Sequence, residues 1–149
     1  MVPKAFPAIA TAIVAVLAPT DASACECVVP RDREALRAYI METMTHVFAA
    51  HVLSVRKRPS QDKHNTAPLI EARVRVLKQL KGELPEVISV VSSGGDTGAN
   101  CGFGDGLARA WATEIPVTLV VGEVPKKNGK AYYTVSGCTS GRFYINPSK

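Results

Sequence analysis

Aromatic residues are scarce, with four Phe, four Tyr and one Trp among 149 residues, and none interleaves with a basic cluster. That argues against a stacking surface for nucleic acid, so no nucleic-acid partner is expected. No His-Glu-X-X-His run is present, and only three histidines occur. His46 and His51 lie an odd number of positions apart, so one strand would send them to opposite faces, and His64 falls in a polar stretch. Structural or solvated roles are expected for all three. The Gly-rich runs Ser92 to Asp96 and Gly102 to Gly106 lack the Gly-Lys-Ser/Thr that follows in a phosphate cradle, so they read as turns. No Ser/His/Asp spacing suggests a nucleophile. No enzymatic activity, cofactor or metal of its own is expected.

Long apolar runs are missing too. The longest, Ala5 to Ala18, has fourteen residues, short of the roughly 18–20 that a spanning helix needs. Lys4 precedes it and Ala22-Ser23-Ala24 follows, the order of a cleavable export signal. Residues 1–24 therefore read as a signal peptide and residues 25–149 as one exported domain, extracellular or periplasmic, with no membrane span. An uncleaved anchor helix and a lipoprotein signal are the competing readings. The residues before Cys25 match a lipidation box poorly, so lipid anchoring at Cys25 is disfavoured.

Charge is mildly one-sided. The formal net charge is +5, and the leader, with one Lys and one Asp, does not alter it. Basic residues are dispersed apart from Arg56-Lys57-Arg58, which reads as the start of a solvated loop running to Ala67. Neither internal repeats nor linkers are apparent. One domain with one core is the expectation, and a monomer.

What is present is a small set of cysteines, Cys25, Cys27, Cys101 and Cys138. An even number in an exported chain reads as two disulfides. Cys25 and Cys27 are too close to bridge each other without distortion, so each pairs with Cys101 or Cys138, in either of two arrangements. Two Cys-X-X-Cys pairs would be needed for the usual four-thiolate zinc site, and they are absent. If cleavage follows Ala24, Cys25 becomes the first residue of the mature chain. Its free α-amine and carbonyl could then close a five-membered chelate ring on a metal. The α-amine has a pKa of about 7.7–8.0, which leaves a neutral fraction near pH 7.

Periodicity supplies the rest. Asp32 can cap a helix whose apolar face holds Leu36, Tyr39, Ile40, Thr43 and Met44. Val47 to Val55 reads as a largely buried strand. Residues 71–76 alternate, with Ala72, Val74 and Val76 inward and Glu71, Arg73 and Arg75 outward. Lys81-Gly82 marks a turn. Val87 to Val91, Ile115 to Val121 and Ala131 to Val135 complete five strands. Trp111 reads as a core or barrel-end residue. The expected fold is all-β, a five-stranded antiparallel OB-fold barrel with one or two flanking helices, and a two-sheet sandwich is the alternative.

The ordered motifs resemble a family, the tissue inhibitors of metalloproteinases and the wider netrin-like OB-fold modules. Cys25-Glu26-Cys27-Val28-Val29-Pro30 is similar to its mature start, and Val47 to Val52 to its first strand. Val74 to Gly82 resembles its strand ending in Lys-Gly, Asn100-Cys101-Gly102-Phe103 its Cys-Gly-aromatic segment, and Tyr133 to Cys138 its last strand and following cysteine. The resemblance implies bridges Cys25–Cys101 and Cys27–Cys138. It implies a zinc metalloprotease as partner, with the Cys25 amine and carbonyl on the enzyme's zinc and Glu26 aimed at its primary specificity pocket. Cys27 and Val28 would continue along the cleft, with Ala99 and Asn100 beside them. Glu26 is anionic where vertebrate inhibitors carry a small uncharged residue, which implies a basic pocket in the target. A non-inhibitory protein-binding or surface module on the same fold is the alternative function.

Overall fold

A computed structural model describes residues 27–59, 68–94, 101–122, 126–127, 130–131 and 133–140. The chain order is α1 (Arg33–Thr43), β1 (His46–Arg58), β2 (Leu69–Lys81), β3 (Val87–Ser93), α2 (Gly104–Thr113), β4 (Val117–Val121), β5 (Lys126–Lys127), β6 (Lys130–Ala131) and β7 (Tyr133–Thr134). The fold is mainly β.

The main sheet has the order β4-β1-β2-β3-β7, and β5 and β6 form a separate ladder. Strands β1, β2 and β3 run as consecutive antiparallel neighbours, and β4 returns beside β1. Three successive strands with the fourth returning to the first is the Greek-key order. The expectation of a purely antiparallel barrel is corrected in two respects. β7 joins β3 in parallel, through Val90↔Tyr133 and Val91↔Thr134, so the sheet is mixed. The sheet is also not closed into a barrel. β7 follows β4, β5 and β6 in the chain before it pairs with β3. An isolated bridge, Val121↔Val135, touches β4 from the residue after β7.

Strand β1 is apolar without alternation from Val47 to Ala50 because both its faces are covered. Period-two geometry sends Phe48, Ala50 and Val52 into one cluster with Ala72, Val74, Ile88, Val90, Leu119 and Val121, capped by Leu107 and Ala110 of α2. It sends Val47 and Ala49 the other way, where Val120, Leu36 and Ile40 complete a second cluster under α1. Burying a side chain such as Ile40 completely is worth about 1.5–3 kcal/mol. Along the rest of β2 the exposed positions are Arg73, Arg75, Leu77 and Gln79, polar apart from Leu77.

Helix α1 begins as its sequence predicts, with the Asp32 carboxylate accepting the Ala35 N–H at 2.9 Å. No basic residue lies in its last turn. Lys81, from the end of β2, supplies one instead, donating from Nζ to the Met41 carbonyl at 2.6 Å and toward Glu42 at 3.4 Å. The turn after β2 uses Gly82 at φ 76°, where a side chain would be strained. Gln79 closes it, accepting the Leu84 N–H at 2.9 Å and donating to the Leu84 carbonyl at 3.3 Å.

Two further expectations fail. Arg56-Lys57-Arg58 belongs to β1 rather than to a loop. Glu71, paired opposite Arg56, accepts from Arg56 at 2.8 Å and Arg58 at 3.1 Å, which lets the charged run extend the strand. Trp111 is not a core residue; 49% of its surface is exposed.

Candidate functional site

The Cys-X-Cys segment is tied to the body by Cys27–Cys138, whose Cα atoms are 5.4 Å apart across a sequence separation of 111. Of the two pairings open to the sequence, this selects the one that puts Cys27 with Cys138. Cys101 is disulfide-bonded as well. The sulfurs of Cys27, Cys101 and Cys138 all lie within 4.8 Å of one another. Such crowding would suit a thiophilic metal if these were thiolates. As disulfides they offer none, which sets aside the four-thiolate zinc reading for this oxidised state.

The platform under the sulfurs is made by hydroxyls. Ser92 donates to the Val135 carbonyl at 2.7 Å and accepts the Phe103 N–H at 2.6 Å. Ser136 donates to the Cys101 carbonyl at 3.1 Å and accepts the Cys138 N–H at 3.1 Å. The same Cys101 carbonyl takes the Gly137 N–H at 2.8 Å. Cys101 is held with a positive φ of 37°. Gly102 pairs with Ser136, and a Cβ there would fall on the Ser93 carbonyl, so only glycine lets these backbones approach so closely. Lone serines have no sequence signature, so this network was not readable in advance.

Between the N-terminal segment, β4 and β7 lies an open cleft of about 400 Å³. Its walls include Val29, Met44, Gly102, Val135 and Thr139, with Cys101 and Cys138 at one side. Val29 also packs on the cluster under α1. Its neighbour Val28 projects into solvent at 90% exposure, the most exposed large apolar side chain among the described residues. The structure thus brings Cys27, Val28, Cys101 and Cys138 to one pole. Residues 1–24, Cys25, Glu26, Ala99 and Asn100 lie outside the described residues, as does His64.

The other histidines are taken up elsewhere. His46 Nδ1 is 2.9 Å from Thr45 Oγ1, and its ring meets Tyr133 edge-on at 5.8 Å between centroids. His51 pairs opposite Arg75 in the β1–β2 ladder. Among the described residues, the one carboxylate with a displaced pKa is Glu71. A hydrogen bond from Arg56 holds it below the usual range, against an opposing effect of partial burial, with the nearby charges of Arg56 and Arg58 adding to the lowering.

No helix among the described residues is long and apolar enough to cross a membrane. The disulfide fits an oxidising compartment. No family model, curated protein or solved structure matches the chain. Fold and site together define a small, disulfide-anchored β domain with a Greek-key core.

Proposed function

We propose that the chain is an exported OB-fold module resembling the tissue inhibitors of metalloproteinases, and that its mature N-terminus ligates the catalytic zinc of a protease. The observation that carries this reading is the Cys27–Cys138 bridge, one of the two pairings the resemblance implies. By counting, Cys25 is then left as the partner of the disulfide-bonded Cys101. The fold inference draws on the Greek-key order and on the Val121↔Val135 bridge, which suit a partly open five-stranded barrel. Exposed Val28, directly after an anchored cysteine, is available to a cleft in a partner.

The chemistry follows from the anchoring. Catalytic zinc keeps one open position for water or substrate. A neutral α-amine and the adjacent carbonyl of Cys25 would occupy it and displace the water. Two bridges would restrict the segment before binding, so less conformational freedom is lost on association. Glu26 would enter the primary pocket, which selects a protease with a basic residue there.

Titration of a panel of zinc proteases with the exported protein tests this. A version carrying an extra N-terminal Ala, or an acetylated one, is the control. Inhibition confined to the free N-terminus is expected; equal behaviour of native and extended forms would refute chelation. The carboxylate of Glu26 favours a second reading, a non-inhibitory protein-binding module. Capture of a non-protease partner that ignores the extension would support it.

A further inference from the structure

We propose that the bridges at this pole form an exchange pair: once Cys101's own bridge is reduced, the Cys101 thiolate takes Cys138 from Cys27 and releases the N-terminal segment. This deepens the function proposed above and rests on its assignment of Cys25 to Cys101.

Proximity is the first ground. Thiol–disulfide exchange needs a thiolate beside a disulfide, and Cys101 Sγ lies within 4.8 Å of both sulfurs of Cys27–Cys138. Access is the second. Cys27 and Cys101 are only half-buried, and the cleft is open beside Cys101 and Cys138. Direction is the third. Cys101 and Cys138 sit on backbones already held together by Gly137 N–H to Cys101 O at 2.8 Å and by the Gly102↔Ser136 bridge. A Cys101–Cys138 bond therefore joins two backbone segments already fixed side by side. Val28, Val29 and Pro30, by contrast, make no backbone hydrogen bond to the body among the described residues. Releasing Cys27 returns conformational freedom to Cys27 and Val28, while Val29 keeps its packing under α1 and the Ser92 and Ser136 network keeps the platform.

The steps balance with a dithiol as reductant. Its thiolate attacks Cys25 Sγ, breaking the Cys25–Cys101 bond and leaving Cys101 as thiolate. The second thiol resolves the mixed disulfide, so the reductant departs as a cyclic disulfide and Cys25 becomes a thiol. Cys101 thiolate then attacks Cys138 Sγ, forming Cys101–Cys138 and expelling Cys27 thiolate, which takes a proton from water. Two electrons and two protons have passed from the dithiol to the protein. One bridge remains, and both cysteines of the Cys-X-Cys segment are free. Reduction of a single disulfide thereby frees both cysteines of the Cys-X-Cys segment and leaves the body covalently closed.

The test is limiting dithiothreitol on the full exported protein, followed by an acid quench, alkylation and non-reducing peptide mapping. The expected one-bridge species carries label on Cys25 and Cys27 and retains Cys101–Cys138. The single variant Cys25→Ser isolates the exchange, because it starts with Cys101 as a thiol. Label on Cys27 in most molecules is expected there. A one-bridge species that keeps Cys27–Cys138 with label on Cys25 and Cys101 would overturn the proposal. Simultaneous labelling of all four cysteines without a one-bridge species would do the same. Untreated protein mapped with Cys25 on a residue other than Cys101 would instead refute the underlying assignment. Protease inhibition is not the readout, so failure of the inhibitor reading remains a separate result.

Discussion

Ser140 stands in for a strand beside Val120. Its hydroxyl accepts the Val120 N–H at 3.0 Å and lies 3.4 Å from the Val120 carbonyl, to which it donates. Both residues are buried, with 3% and 1% exposed. Here one side chain satisfies Val120 on the outer edge of β4, next to the Val121↔Val135 bridge.

Ser140→Ala should therefore leave a buried N–H without a partner. A loss of about 1–3 kcal/mol is expected, measured as a lower urea midpoint with an unchanged slope. A change below about 0.3 kcal/mol would mean that water reaches the edge of β4.

Removing Cys27–Cys138 by the double change Cys27→Ser and Cys138→Ser should cost more. The bridge spans a sequence separation of 111, and a loop near that length corresponds to about 4–5 kcal/mol in the chain-entropy model. Because another bridge at the same pole shares the constraint, about 2–4 kcal/mol is the expectation, read from denaturant unfolding without reductant. A loss under about 1 kcal/mol would show that the bridge adds little to what Cys101's own disulfide already fixes.

Lys81→Met keeps most of the aliphatic stem and removes the ammonium at the C-terminal end of α1. The lost hydrogen bonds to Met41 and Glu42 should cost about 0.5–2 kcal/mol. The effect should concentrate in α1, so its amides should exchange with deuterium faster while those of β2 and β3 do not. Uniform acceleration across the sheet would contradict a local cap.

Glu71 gives the chain a pH-dependent element. Its folded pKa is lowered, so its contribution to stability is present above the unfolded carboxylate pKa of about 4.3. That contribution disappears as pH falls through the lower folded value. Arg56 is 67% exposed, so solvent screens the pair and its contribution is small. Glu71→Gln should thus destabilise slightly at pH 7 and converge on the parent as the pH falls through the folded value. A difference that does not shrink with acid would point to packing, not charge.

The sequence foretold α1 and β1 to β3 well because their residues obey one period at a time. Asp32, Leu36 and Ile40 fall where cap and helical face require. Ala72 and Val74 alternate against Arg73 and Arg75 as a half-buried strand must. Helix α2 has no clear sequence signal because it opens with Gly104-Asp105-Gly106, and its buried side is only Gly104, Leu107 and Ala110, too small an apolar face to stand out. Arg56 to Arg58 reads as a loop because its partner, Glu71, is adjacent only across the hairpin. The parallel pairing of β7 with β3 is a long-range contact, which no local pattern records. At the site, cysteine spacing narrowed the bridges to two arrangements, and the meeting of Cys27 with Cys138 decided between them. The serines that hold the platform have no pattern of their own.

The Cys27–Cys138 bridge has a practical consequence for handling the protein. It brings the start and the end of the described body to the same pole, and Ser140 follows Cys138 by two positions. A fusion made directly after Ser140 would leave from beside the N-terminal segment and crowd the pole that needs to stay open. Sensors and affinity supports should instead be coupled at an exposed position away from this pole.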